Sequence, residues 1–207
     1  MIATVMIGVK VMAFAAHFVD RMNLKGHFLI AMPGVEDQHF ARTVVFICNH
    51  DENGAMGFIV NQPVKAPAFT DILNELKIKT PPKNIAHENM TVFCGGPVEQ
   101  GRGFVIHSLD YSSQASIRVD DLAGVSATID ALRRLASDNP PQNALMMLGY
   151  SGWSAGQLED EVLRNGWLTL EANAELLFYT PHEKLYDASL TALGVTEAAL
   201  SSSPGHA

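Results

Sequence analysis

The sequence has few cysteines and few basic residues, and each shortage excludes a class of protein. The two cysteines among 207 residues, Cys48 and Cys94, form no C-x-x-C pair and are too few for the disulfide framework of a small secreted domain. Lys and Arg number 14 against 22 Asp and Glu, which gives a formal net charge of −8. Because nucleic-acid phosphates are neutralised by clustered basic side chains, we expect no direct, general binding of nucleic acid. Both cysteines lie in apolar runs, which favours buried, reduced thiols in a cytoplasmic (cytosolic) protein.

Motifs for metals and nucleotides are also missing. Zinc sites usually present paired ligands such as C-x-x-C or H-E-x-x-H, and neither pattern occurs. The segment Gly95–Gly103 has the spacing of neither a Walker loop nor a dinucleotide fingerprint. We therefore predict no metal site and no cofactor. The cysteine and histidine side chains that could ligate a metal are Cys48, His50, Cys94, His27 and His107.

Residues 1–21 are apolar for most of their length, and three interpretations compete. A signal peptide carries its positive charge before the apolar run, whereas Lys10 interrupts the middle of this one. A membrane span is barely long enough, and a central Lys costs roughly 2.5–3.5 kcal/mol on insertion scales. We favour the third interpretation, in which translation starts at Met22 and the preceding residues are an extension outside the fold. No membrane span is then expected.

The segment 26–63 carries the strongest signals for secondary structure. Two apolar runs, Phe28–Met32 and Thr43–Cys48, contain β-branched or aromatic residues and predict strands. Asp51–Gly54 separates the second run from the apolar residues Phe58–Val60. A loop of this length ending in glycine predicts a β-hairpin.

Later segments add helices and a central strand. Asp120 or Asp121 can cap an amphipathic helix with apolar positions at steps of three and four from Leu122 to Leu135. The continuous apolar run Ala144–Leu148 predicts a strand buried on both faces. Ser154 and Gln157 fit a capping box at the start of the next helix.

The irregular mixture of strands and helices predicts the fold class. Hairpins early in the chain and helices later favour an α+β fold with a largely antiparallel sheet. We predict a single domain over residues 22–195, followed by a C-terminal tail at residues 196–207.

Gly149–Trp153 (GYSGW) resembles the G-x-S-x-G nucleophile elbow, because it joins a predicted buried strand to a capped helix. The last glycine of that motif is replaced by Trp153. A hydrolase would also need a later acid and histidine, for which order alone nominates His182 and Asp187. The plainer interpretation is a tight strand-to-helix turn. A third is an anion site formed by the N–H groups of residues 152–156 at a helix start.

Gly95–Gly103 is the second glycine-rich segment. Glycines on both sides of Arg102 would let the backbone approach a ligand, with the guanidinium binding an anion. We favour two turns around a hairpin, since turns are the commonest use of Gly and Pro.

Five segments between about Met22 and Leu193 are distinctive when taken together: LKGHFLIAMPG (24–34), FARTVVFIC (40–48), GAMGFIVNQP (54–63), CGGPVEQGRGFVIHS (94–108) and LGYSGWSAGQLEDEV (148–162). In this order they resemble a known bacterial family, AlgH/YqgE. The resemblance implies an α+β fold with a bent, branching sheet closed into a pseudo-barrel and flanked by helices. It also implies a cytosolic location and a role in transcriptional regulation, with no established reaction or cofactor.

From these observations we predict a non-enzymatic regulatory protein that binds a protein partner or a small anionic ligand. If it regulates transcription, its acidic charge predicts an indirect route rather than operator binding. A serine hydrolase using Ser151 is the main alternative, and a thiol redox protein using Cys48 or Cys94 is a weaker one. No catalytic residue is assigned. The predicted ligand-binding residues are Asn61, Gly95, Gly96, Arg102, Ser151, Gly152 and Ser154.

Overall fold

One nine-stranded sheet runs through the part of the chain that the computed structural model describes, which is residues 22–33, 40–79 and 90–201. The predicted extension at residues 1–21 lies outside that part. The strands are β1 (His27–Ala31), β2 (Val44–Asp51), β3 (Gly54–Ile59), β4 (Val92–Cys94), β5 (Val98–His107), β6 (Ile117–Val119), β7 (Ala123–Ser126), β8 (Ala144–Ser154) and β9 (Trp167–Glu171). Their order in the sheet is β6-β7-β5-β8-β3-β2-β1-β9, and β4 pairs with β8.

Short helices accompany this sheet. Every strand pair is antiparallel except β4 with β8, so the predicted α+β class with a largely antiparallel sheet is confirmed. The helices are α1 (Phe69–Glu75), α2 (Ile129–Leu135), α3 (Gln157–Leu163), α4 (His182–Ala192) and α5 (Glu197–Ser201), with a π-helical turn at Glu175–Tyr179.

The hairpin of β2 and β3 forms as the sequence predicts. Asp51 pairs with Gly54 across a two-residue turn. The Asp51 side chain accepts a hydrogen bond from the backbone N–H of Asn53 at 2.7 Å, which fixes the turn locally.

Strands β1 and β2 are buried on both faces, which explains their uninterrupted apolar sequences. Phe28 packs with Phe46 and Phe58 on one face, where α4 also contributes. Leu29 and Val45 point to the opposite face and pack beneath α3. Alternate residues of a strand face opposite sides of a sheet, so a strand between two apolar layers needs apolar residues at every position.

The sheet branches and curls around β8. The first half of this 11-residue strand pairs with β5 and β4, and the second half pairs with β3. Because of this curl, edge strand β6 contacts β2. Gly26 lies close to Asp120, since a Cβ added to Gly26 would be 2.8 Å from the Asp120 carboxylate. The bent sheet expected from the family resemblance is confirmed as a curled half-barrel.

The helix predicted from Asp120 onward is wrong in its first half. Ala123–Ser126 is strand β7, paired with β5, and the helix begins only at Ile129. Thr128 is its N-cap, and its Oγ1 accepts from the N–H of Ala131 at 3.2 Å. Pairing with a long neighbouring strand outweighs the helical spacing of the apolar residues.

The predicted tail at residues 196–207 contains a helix. Its first residues form α5, and Glu197 of this helix is paired with Arg42. Residues 202–207 lie outside the described part of the chain.

Candidate functional site

Ser151 lies within strand β8 and not at a strand-to-helix elbow. The strand continues to Ser154, so the predicted turn at Gly149–Trp153 is wrong. Ser151 is 1% exposed, and its hydroxyl donates to the carbonyl oxygen of Gly95 at 3.3 Å. Pairing of residues 151–154 with β3 is what extends the strand beyond its apolar first half.

Neither residue nominated to complete a hydrolase triad acts on Ser151 in the described structure. The ring of His182 packs edge-on against Phe93, with centroids 5.5 Å apart. The carboxylate of Asp187 accepts from Arg42 at 2.8 Å. These contacts do not assemble a nucleophile, a base and an orienting acid.

The predicted capping box is half right. Gln157 reaches back as expected, since its Oε1 accepts from the backbone N–H of Ser154 at 3.0 Å. The N-cap is Gly156, with φ of 76°, and Ser154 is the last residue of β8. Residues 152–154 belong to strand β8 and the N–H of Ser154 is bonded to Gln157, so this N–H is not available to an anion, and anion binding by the rest of the segment stays a prediction.

Gly95 and Gly96 are buried where the sheet branches. The N–H of Gly95 donates to the carbonyl of Leu148 in β8, and its own carbonyl accepts from the N–H of Ile59, the last residue of β3. Gly96 has φ of 151°, and a Cβ there would overlap the backbone of Tyr150 and the hydroxyl of Ser151. Both glycines therefore serve close packing of backbone against β8.

A pocket of 370 Å³ opens between the end of β8, helix α3 and the start of β9. Its volume lies within the range of small-molecule sites. Of the residues predicted to bind a ligand, Ser151 and Gly152 line it. The described residues that line it are Phe40, Pro97, Ser151, Gly152, Trp153, Gln157, Glu161, Arg164, Gly166 and Trp167.

Both tryptophans of the chain form part of this wall and are fixed by one carboxylate. The indole N–H groups of Trp153 and Trp167 donate to the same oxygen of Glu161, at 2.9 and 2.8 Å. The other oxygen accepts from the side-chain amide of Gln157 at 3.0 Å. A buried indole N–H needs a partner, and here one glutamate satisfies two of them.

The aromatic rings meet at steep angles. Trp153 and Trp167 are 7% and 6% exposed, and Phe40 lies edge-on to Trp167 with centroids 5.5 Å apart. Arg164, the C-cap of α3, is exposed at the rim. The described lining residues provide apolar walls and one cation, Arg164, which can bind a ligand, and none of them is an activated nucleophile.

Arg102 and Asn61 lie elsewhere, so the predicted residues do not converge on one site. Arg102 lines two other pockets, of 250 and 430 Å³, and its guanidinium pairs with Glu99 at 3.0 Å. The side chain of Asn61 bonds the backbone N–H of Val44 and the carbonyl of Arg42, both at 2.9 Å, which ties two segments together. Ligand binding by either residue stays a prediction.

The Cys48 thiol and the His50 ring each bond separate neighbours. Burial raises the pKa of the Cys48 thiol to about 12, and its sulfur donates to the carbonyl of Met56 at 3.3 Å. His50 accepts from the N–H of Leu24 and bonds Glu159 at 3.2 Å. Across the described residues, no three His, Cys, Asp or Glu side chains cluster as a metal site requires.

The pocket residues Trp153, Glu161 and Trp167 were missed by sequence reasoning. One signal was available: two tryptophans flank a short acidic helix, and buried indoles require acceptors. That signal does not say which acidic side chain of the helix turns inward.

The fold and the pocket define a curled-sheet α+β protein with a small-molecule-sized site at one end of β8. The chain belongs to the AlgH-like family, DUF179, whose sequence model matches residues 28–198. The resemblance seen in the sequence is thereby confirmed.

Relatives and solved structures agree with this assignment. A UPF0301 protein of Rhizobium leguminosarum bv. trifolii is 50% identical over 192 residues, covering 91% of this chain and 95% of that protein. The solution structure of AlgH from Pseudomonas aeruginosa is 37% identical with a TM-score of 0.72, covering 90% and 97% of the two chains. A crystal structure of a Corynebacterium diphtheriae protein, at 17% identity and a TM-score of 0.67, shares the fold over 88% and 94%. Within the described ranges, no helix has the length and apolar character needed to cross a bilayer.

Proposed function

We propose that this protein is a non-enzymatic, cytosolic regulator that recognises a small ligand or a protein partner through the tryptophan pocket. The observation that carries the proposal is the double hydrogen bond from Trp153 and Trp167 to Glu161, which holds the pocket walls in place before any ligand arrives. Pre-organised walls reduce the ordering cost of binding. The pocket also adjoins the GYSGW segment on which the family resemblance partly rests.

The polar groups of the pocket favour binding over catalysis. The Ser151 hydroxyl is buried and donates to a backbone carbonyl, so it lacks the neighbouring base that activates a serine. The glutamate is occupied by three N–H donors. The high pKa of Cys48 favours a structural thiol over a redox-active one.

The chain supplies its own reporters for a binding test. Its two tryptophans give two indole N–H signals in a ¹H–¹⁵N NMR spectrum, and both groups line the pocket. We expect a screen of bacterial small molecules, and of any compound that co-purifies, to yield a ligand that shifts both signals. Ligands that bind the protein without moving either signal would place the function elsewhere. A fluorophosphonate adduct at Ser151 would restore the hydrolase alternative.

We further propose that any effect on transcription is indirect. A net charge of −8 opposes approach to DNA phosphates. A gel-shift with the pure protein at physiological salt should show no sequence-specific complex, and tight specific binding would contradict the indirect route.

A further inference from the structure

We infer that the tryptophan pocket binds a small organic anion with a flat apolar body and one carboxylate or similar group. In this arrangement the body lies against the apolar wall formed by Phe40, Trp153 and Trp167, and the charged group meets Arg164. The inference rests on the proposed function, because it names the ligand class of the same pocket.

The apolar walls of the pocket determine which kind of ligand body can bind. Phe40, Pro97, Trp153 and Trp167 supply apolar surface on several sides of the 370 Å³ space. Both indoles are held by Glu161, so they cannot turn their N–H groups toward a ligand without leaving that carboxylate. The body is therefore recognised by apolar and ring contacts, which suit a flat hydrocarbon or aromatic group.

The polar side chains limit which charge the ligand can carry. Most of them already form hydrogen bonds within the protein. Gln157 is bonded at both ends of its amide, to the N–H of Ser154 and to Glu161. The Ser151 hydroxyl donates a hydrogen bond to the backbone carbonyl of Gly95. Glu161 accepts three N–H bonds, which leaves about one of its four acceptor sites for a ligand donor.

Arg164 differs from these groups. It is exposed and lines the pocket. Its guanidinium is in none of the ion pairs formed among residues 22–33, 40–79 and 90–201. Guanidinium groups bind carboxylates through two parallel N–H bonds. A ligand cation would be repelled by the same group, so the rim selects for one negative charge.

Three probes of matched shape test the charge preference: 2-naphthylacetate, 2-naphthylacetamide and 2-(2-naphthyl)ethylammonium. Binding to the full chain is followed by the two indole N–H signals. We expect the carboxylate to bind about tenfold more tightly than the amide, which is the value of one charge-assisted hydrogen bond, and the ammonium to bind most weakly.

Two variants locate the preference. Arg164→Gln should bring the carboxylate within about twofold of the amide, since the charged partner is lost. Arg133→Gln is the control, because this substitution removes the same charge away from the pocket. Arg133 is exposed on α2, where it pairs with Asp130. This control variant should keep the wild-type preference.

The outcomes separate the ligand class from the pocket itself. An amide or ammonium that binds as tightly as the carboxylate, or a preference that survives Arg164→Gln, would overturn the anion inference while leaving the pocket as a binding site. If none of the probes moves either indole signal, the anion inference is wrong. The proposed function then depends on the broader screen.

Discussion

The indole rings of Trp153 and Trp167 cross edge to face, with centroids 6.3 Å apart and planes at 78°. Their N–H groups meet at one oxygen of Glu161. The tryptophans come from different strands, β8 and β9, and the glutamate comes from the helix between them. One carboxylate therefore holds three consecutive elements of the chain together.

Replacing Glu161 with Ala should destabilise the fold strongly. Two buried indole donors would lose their acceptor, and each unpaired buried donor costs about 1–3 kcal/mol. We expect a loss of about 3 kcal/mol or more in the free energy of unfolding by urea, with Glu161→Gln between wild type and Glu161→Ala. The exposed turn residue Glu52 provides the control, since Glu52→Ala should change stability by less than about 0.5 kcal/mol. A Glu161→Ala protein as stable as this control would show that the indoles find other partners.

The glycines of the 95–103 segment should differ sharply in their tolerance of alanine. Gly96→Ala places a Cβ against the backbone of Tyr150 at a φ of 151°, so we expect a loss of more than about 3 kcal/mol. At Gly101 an added Cβ meets no atom within 4 Å, and Gly101→Ala should stay within about 1 kcal/mol of wild type. Thermal unfolding of the two variants side by side measures the contrast. Equal melting temperatures would mean that the branch of the sheet relaxes around Gly96.

Local signals in the sequence predicted the elements that local contacts determine. The β2–β3 hairpin is set by a short turn and the side chain of Asp51, and both are visible in the sequence. The apolar start of β8 was likewise predicted. The continuation of β8 through Ser151 depends on its pairing with β3, which lies almost a hundred residues earlier in the chain. No local sequence pattern predicts that pairing.

The same distinction between local and long-range contacts explains why the pocket does not lie at the glycine-rich segments that suggested a ligand site. Glycine-rich segments suggest ligand loops, but Gly95 and Gly96 are needed where backbones pack closely. The pocket instead depends on which way Glu161 faces, and that follows from the packing of α3 on the curled sheet. Such long-range packing is decided by the tertiary fold, and propensity alone does not predict it.

Cys48 should resist modification in the folded protein. Its thiol is fully buried and its pKa is raised to about 12 by burial, so almost no thiolate is present at pH 8. With iodoacetamide at pH 8, mass spectrometry should show Cys48 unmodified in the native protein and modified within minutes in denaturant. Cys94, which is half-buried, is the internal comparison and should react first. Rapid native modification of Cys48 would revive the redox alternative.

His107 should make the protein less stable as the pH falls below neutral. The side chain is fully buried, with its ring nitrogens bonded to the Ser108 carbonyl and the Ser126 hydroxyl, and burial lowers its pKa below the usual 6.5. The unfolded chain therefore binds a proton at a higher pH than the folded one. Stability is complete above about pH 6.5 and declines below it, by at most about 1.4 kcal/mol per pH unit for one proton.

Urea unfolding between pH 7.5 and pH 5.5 measures this slope before the carboxylates titrate. His107→Gln should lower stability at pH 7.5, because it disturbs a buried hydrogen-bonded group, and should flatten the slope. His27→Gln is the matched control, because it makes the same substitution at a histidine that is only half-buried. A slope that persists in His107→Gln would assign the acid sensitivity to another group. A slope lost in both variants would show that glutamine substitution, and not the titration of His107, is responsible.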